Sequence, residues 1–244
     1  MLKLYDYWRS SAAYRVRIGL NLKGVDYESI PVNIMPGVDE QMREPYRSKN
    51  PQMRVPALET EKGIITQSLS ILVYLDQKYP EPRLMPADPW LGAQVRSFAT
   101  TIATDIHPLN NTSVLTRLKL EFGASEDHIG EWYRHWIKLG FNALEHQVAG
   151  HADTKHVFGD EPTLADVMLV PQMANARRFK TDLSPFPRLV ASISLAPSLH
   201  APALEPVACV NCVNTRGFVA SRALGSHDYP CPVLHLWQSD WKQV

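Results

Sequence analysis

No stretch of apolar residues in this 244-residue chain reaches the length of a membrane span, and its opening lacks the basic-then-apolar pattern of a secretory signal. Charge of either sign is not in excess: 25 basic side chains stand against 25 acidic ones, a formal net charge of +0. That leaves no electrostatic footprint for nucleic acid or for an anionic membrane surface. Cysteine is scarce too, three residues in all, an odd number that does not suggest a disulfide scaffold. We therefore expect a soluble cytoplasmic protein whose stability comes from its apolar core, for which 45% hydrophobic residues is ample.

What is present begins at the N-terminus. A strand-like run, Leu2–Tyr7, breaks at Trp8-Arg9 into Ser10-Ser11, and Val16, Leu20 and Lys23 then recur at helical spacing until Gly24. Two serines thus stand where a helix begins. Either caps the helix by accepting a backbone N–H, the ordinary role of serine at such a junction. The same place also gathers unpaired N–H groups and the positive end of the helix dipole, which suits it to hold an anion, a thiolate included.

The first eighty residues alternate between strand and helix signals. Strands are expected at Leu2–Tyr7, Tyr27–Val32, Val55–Glu59 and Ile64–Thr66; helices are expected from Ser11, over Val38–Ser48 and over Ser68–Tyr79. The order β-α-β-α-β-β-α describes a compact α/β unit over residues 1–80. Pro80, Pro82, Pro86 and Pro89 punctuate a linker at 81–89. Strand signals then vanish. Trp90–Leu109, Thr112–Glu121, Ser125–Gln147 and Thr163–Ala174 read as helices of an all-α unit over 90–190. Thr163-Leu164-Ala165-Asp166 has the form of a capping box, which we read as structural.

Three points at the ends of these elements can bind a ligand. Ser10 and Ser11 are the first. Pro56 cannot donate a ladder hydrogen bond, so Val55 before it is placed to offer its own N–H and C=O to an extended ligand. Gln67 and Ser68 open another helix, whose N–H groups suit a carboxylate. Together these points have the arrangement of a peptide-binding cleft.

The segments "RSSAAYRVRIGLNLKG", "NPQMRVPALE", "ITQSLSILVYLDQKYP", "IHPLNN" and "FGDEPTLADVMLVPQMANARRFKTDLSPFPRL" closely resemble the zeta class of glutathione transferases, which includes the maleylacetoacetate and maleylpyruvate isomerases. The resemblance runs from about Leu2 to about Val190. It implies a thioredoxin-like domain followed by a helical domain, glutathione as cofactor, and a homodimer. Carried over by position, Ser10 and Ser11 orient or activate the glutathione sulfur; Ser11 is favoured as the closer, although spacing does not rank them. Val55 pairs its backbone with the cysteinyl portion, Pro56 takes the place of the family's cis-proline, and Gln67 and Ser68 grip the γ-glutamyl end. His107, Asn110 and Asn111 lean over the cofactor from the helical domain, and Arg9 and Arg178 meet the carboxylates of a small dicarboxylate substrate. The best-known zeta motif has cysteine after the paired serines; here Ala12 stands there, which removes a covalent or redox role at that spot.

The activity implied is glutathione-dependent cis–trans isomerisation of a maleyl-keto acid, in aromatic amino-acid or aromatic-ring breakdown. A transferase or dehalogenase acting on small α-halo acids is the rival within the enzymes, and a non-catalytic glutathione-binding protein the rival outside them. Residues 191–244 do not fit the family. They are poor in charge, rich in proline, and hold Cys209, Cys212 and Cys231. Cys209 and Cys212 have C-x-x-C spacing, but with His227, Cys231 and His235 they form no regular ligand pattern, so no metal site is expected. A reading-frame shift near Ala191 is the more economical account, with a poorly ordered tail and a missing final helix as its consequence.

Overall fold

The structure is a computed structural model of the chain, and it describes residues 1–151 and 154–194. Residues 195–244 lie outside the described residues, and with them the expectations for the tail and its cysteines.

Strand β1 (Leu2–Asp6) leads into helix α1 (Ser11–Leu22), strand β2 (Tyr27–Pro31), short helix α2 (Tyr46–Lys49), strands β3 (Ala57–Thr60) and β4 (Gly63–Thr66), and helix α3 (Ser68–Lys78). The sheet order is β2-β1-β3-β4, with β1 parallel to β2 and β3 antiparallel to both β1 and β4. Side chains alternate across a strand, so Leu2 and Leu4 pack with Leu58, Val16, Leu20, Ile71 and Leu75 beneath α1 and α3. Tyr5 turns the other way, joining Val32, Tyr46, Val55 and Ala57. Gly19 is required where α1 meets α3: a Cβ there would stand 2.3 Å from Cδ2 of Leu72.

Two of the expected elements differ. The stretch Val38–Ser48 is not one helix but a 3₁₀ turn, Glu40–Met42, followed by α2. Pro45 is the cause: it lacks an N–H and forces the residue before it out of helical conformation. The strand expected from Val55 starts instead at Ala57, because Pro56 has no hydrogen to give the ladder. The Val55–Pro56 bond is cis.

The proline-rich stretch after α3 is tied down. Asp76 of α3 accepts the backbone N–H groups of Leu84 (2.7 Å) and Met85 (3.1 Å), and pairs with the buried ammonium of Lys23. Helix α4 (Pro89–Thr100) follows, capped by Asp88. The helix expected over Trp90–Leu109 changes winding at its midpoint: Thr101–Ile106 form a π-helical turn that ends at His107. Threonine hydroxyls draw on the helix's own carbonyls here, Thr101 on Ser97 and Thr104 on Thr100, a competition that loosens the regular ladder.

Helices α5 (Thr112–Phe122), α6 (Glu126–Gln147), α7 (Leu164–Arg178) and α8 (Pro187–Ser194) complete the described chain. Helix α7 is its central post, buried from Leu164 to Met173. Its start is the capping box seen in the sequence: the Asp166 carboxylate accepts the Thr163 N–H and hydroxyl, and also the N–H of Val157. The largest core cluster joins α4, α6, α7 and α8 to Ile18 of α1 and Leu72 of α3, so the helical layer and the α/β layer share one interior.

Candidate functional site

The β1–α1 turn is built to hold the first helix turn in one pose. Asp6, at the end of β1, receives two hydrogen bonds from Nη1 of Arg17, at 2.8 and 2.7 Å, while Nη2 of Arg17 donates to the Trp8 carbonyl at 3.3 Å. Both side chains are almost wholly buried. Burial pushes the Asp6 carboxyl up, and Arg17 opposes that shift. The two serines then part company. Ser10 is the N-cap, its hydroxyl accepting the Ala13 N–H at 3.2 Å. Ser11, released from capping, places its hydroxyl 3.4 Å from Nδ1 of His107.

A cleft of about 80 Å³ lies beside this contact, lined by Ala12, Arg15, Gln52, Arg54, Val55, Gln67, Ser68 and His107 among others. Ser11 borders it through His107 rather than lining it directly. Two arginines stand in the wall, and among the described residues no aspartate or glutamate does. Burial first, then the charges of Arg15 and Arg54, push the His107 imidazole down to about 3, so it is neutral at physiological pH.

Val55 is buried, and among the described residues neither its N–H nor its C=O takes a backbone partner. It is free to pair with an extended ligand. Gln67 stands at the N-cap position of α3 without a side-chain capping bond, at a positive φ (+69°) that a non-glycine residue adopts rarely and that concentrates at ligand clamps. Its Nε2 donates to Oε1 of Gln52 at 2.9 Å. Ser68 lies buried at the first position of α3.

The remaining sequence-derived residues separate into two groups. Arg9 and Arg178 stand outside the cleft, but both act on the phenol of Tyr7: burial raises its pKa and the two guanidinium charges oppose the rise. They therefore share one neighbourhood above the β1–α1 turn. Asn110 turns inward, its Nδ2 donating to the Tyr133 carbonyl at 3.3 Å, and Asn111 caps α5, its Oδ1 accepting the Ser113 N–H while the residue also lines the cleft. Sequence reasoning missed Arg15, Gln52 and Arg54. Arg15 carried a signal: four residues after Ser11, it shares that residue's helix face.

A β2-β1-β3-β4 sheet under α1 and α3, a helical layer packed behind it, and a cleft at the helix N-termini define a thioredoxin-like α/β domain joined to an all-α domain, the glutathione transferase fold. Residues 4–83 match the family described as glutathione S-transferase, N-terminal domain. A maleylpyruvate isomerase from Ralstonia sp. is 43% identical over 213 residues, 84% of this chain and 99% of its own. A solved maleylpyruvate isomerase, described as a bacterial zeta-class glutathione transferase in its holo form, superposes with a TM-score of 0.80 at 41% identity, covering 84% of this chain and 99% of that one. Maleylacetoacetate isomerase from Anaeromyxobacter dehalogenans, solved with dicarboxyethyl glutathione and citrate in its active site, is 39% identical with a TM-score of 0.72, over 82% of this chain and 93% of that one. The chain belongs to the zeta-class glutathione transferase family of maleylacetoacetate and maleylpyruvate isomerases.

Proposed function

We propose that this protein is a glutathione-dependent cis–trans isomerase of maleyl-keto acids, converting maleylacetoacetate to fumarylacetoacetate, with residues 1–80 holding the cofactor and residues 90–190 shaping the substrate site. Maleylpyruvate is the alternative substrate of the same class. The observation that carries the reading is the Ser11 hydroxyl, free of capping, beside a neutral histidine at the edge of a cationic cleft.

The donors present suit glutathione. An anionic sulfur is served by the Ser11 hydroxyl and the N-terminus of α1; the cysteinyl backbone by Val55, whose own N–H and C=O are unpaired; and a carboxylate by the N-terminus of α3 with Gln67 and Ser68. When bound, glutathione supplies the nucleophilic sulfur whose reversible addition allows rotation about the cis double bond.

The protein's own residues prepare that chemistry. Ser11 donates its hydroxyl hydrogen to the sulfur and so favours the ionised form. His107 is uncharged, so it adds a hydrogen-bonding edge without competing as a cation. Arg9 and Arg178 take the substrate's carboxylates, Arg178 in the bidentate manner that a planar guanidinium allows, and their positive charge stabilises the negative charge that develops on the substrate's conjugated oxygen. Ser10 holds the turn, Pro56 presents Val55, and Asn110 and Asn111 shape the roof around His107.

The protein works as a cytoplasmic homodimer in the breakdown of aromatic compounds. Light scattering at micromolar concentration tests the dimer. The catalytic reading is tested by presenting maleylacetoacetate and maleylpyruvate separately, with and without glutathione, and following the trans product. Isomerisation returns glutathione unchanged, so consumption of glutathione in step with product overturns the assignment in favour of a transferase.

A further inference from the structure

Two arginines lie buried in α1, and they are treated oppositely. Arg17 donates from Nη1 to both oxygens of the Asp6 carboxylate and from Nη2 to the Trp8 carbonyl. Arg15, 1% exposed, has one hydrogen bond among the described residues, from Nη1 to Oγ of Ser68 at 3.4 Å. Its Nε and Nη2 are buried without a partner, although the side chain lines the cleft. Burial draws its pKa down to about 10, so it still carries its charge at neutral pH. A buried cation without a counter-ion is strongly unfavourable, and such a group persists where something outside the folded chain completes it.

The surroundings specify what completes it. Side chains on a helix lean toward its N-terminus, which brings the guanidinium of Arg15 under the first turn of α1 and against Ser68 at the start of α3. Two helix N-termini and one guanidinium converge there, and no carboxylate among the described residues lines the cleft. The unused N–H groups form a planar fork, the shape that fits a carboxylate rather than a single charged atom. Ser68, not Ser11, is the side chain that Arg15 touches. That separates it from the sulfur position.

We propose that Arg15 is a cofactor-binding residue that supplies the buried counter-charge for the α-carboxylate of the γ-glutamyl group, with Ser68 as its partner. The inference rests on the reading of the cleft as a glutathione site and adds to it a residue that sequence analysis did not single out. It also accounts for the expense of keeping Arg15 buried: the ligand, not the fold, completes its pairing.

Calorimetric titration with S-methylglutathione, which removes sulfur ionisation from the measurement, tests this directly. The comparison peptide is S-methylated 4-aminobutanoyl-cysteinylglycine, which keeps the ammonium and lacks only the α-carboxylate. Arg15→Met is expected to weaken S-methylglutathione by about tenfold or more, while the decarboxylated peptide binds both proteins alike. Arg15→Lys, retaining a charge, recovers part of the loss, and it carries the test if the methionine variant does not fold. Equal weakening of both peptides overturns the inference, since Arg15 would then shape the cleft rather than meet the carboxylate. So does equal binding of S-methylglutathione by wild type and variant. A wild-type protein that binds neither peptide overturns the glutathione reading itself.

Discussion

Ser11 and His107, separated by 96 positions in the chain, meet at 3.4 Å between Oγ and Nδ1. One stands on the first turn of α1 and the other at the end of the π-helical turn, so the contact joins the α/β layer to the helical layer at the site itself. Gly140 of α6 makes the approach possible: a Cβ there would stand 2.3 Å from Cδ1 of Ile106, the residue before His107.

Ser10 caps α1, the proposed function gives the chemistry to Ser11, and single substitutions separate the two. Ser10→Ala is expected to cost about 1 kcal/mol of stability through loss of the cap, with a near-normal ionisation of bound glutathione. Ser11→Ala should leave stability almost unchanged and raise the bound thiol's pKa, read from thiolate absorbance, with turnover falling about tenfold or more. An unchanged titration in Ser11→Ala would reduce that serine to a bystander.

His107 imposes an acid limit on stability. Its pKa lies near 3 when folded, against an ordinary 6.5. Between those values the unfolded chain binds a proton that the folded one does not. Stability is therefore complete above pH 6.5 and falls as pH drops toward 3, with a slope approaching roughly 1.4 kcal/mol per pH unit from this group. Denaturant titrations from pH 7 to pH 4 should show a shallower decline in His107→Asn. Parallel curves for the two proteins would mean that the imidazole titrates normally.

The proposed function assigns Arg178 to the substrate and not to the cofactor. Arg178→Ala is expected to lower kcat/KM for the maleyl substrate by about a hundredfold, the scale of a lost charge-assisted pair, and to leave glutathione affinity nearly unchanged. Equal losses in both would assign Arg178 to the fold or to the cofactor.

Arg17→Met strands the Asp6 carboxylate in the core. Removing one member of a buried pair costs about 3–5 kcal/mol, and the Trp8 carbonyl also loses its donor. A fall of that size in the free energy of unfolding is expected. The double variant Asp6→Leu with Arg17→Met should regain much of it, because no charge is then left behind. A double variant as unstable as the single one would show that the Trp8 contact is the part that matters.

The order of elements was legible from periodicity because each strand and helix buries one regular face. The capping box at Thr163 and Asp166 was legible as well, since its four residues specify their own hydrogen bonds. Departures fell where a local signal was overruled. Pro45 split an amphipathic stretch, and Pro56 delayed β3 by two residues. The threonine-rich centre of Trp90–Leu109 took a wider turn, which periodicity cannot distinguish from an ordinary helix over six residues.

By itself the sequence determined that an α/β unit precedes a helical one, that serines open α1, and that Val55, Gln67 and Ser68 stand at neighbouring element ends. These are local matters of propensity, punctuation and spacing. Only the tertiary structure decided that Ser10 caps while Ser11 faces His107, that Arg17 meets a carboxylate while Arg15 meets none among the described residues, and that Asn110 turns into the core. Such distinctions depend on which atoms from distant parts of the chain arrive beside a polar group. Burial then sets the cost of leaving that group without a partner.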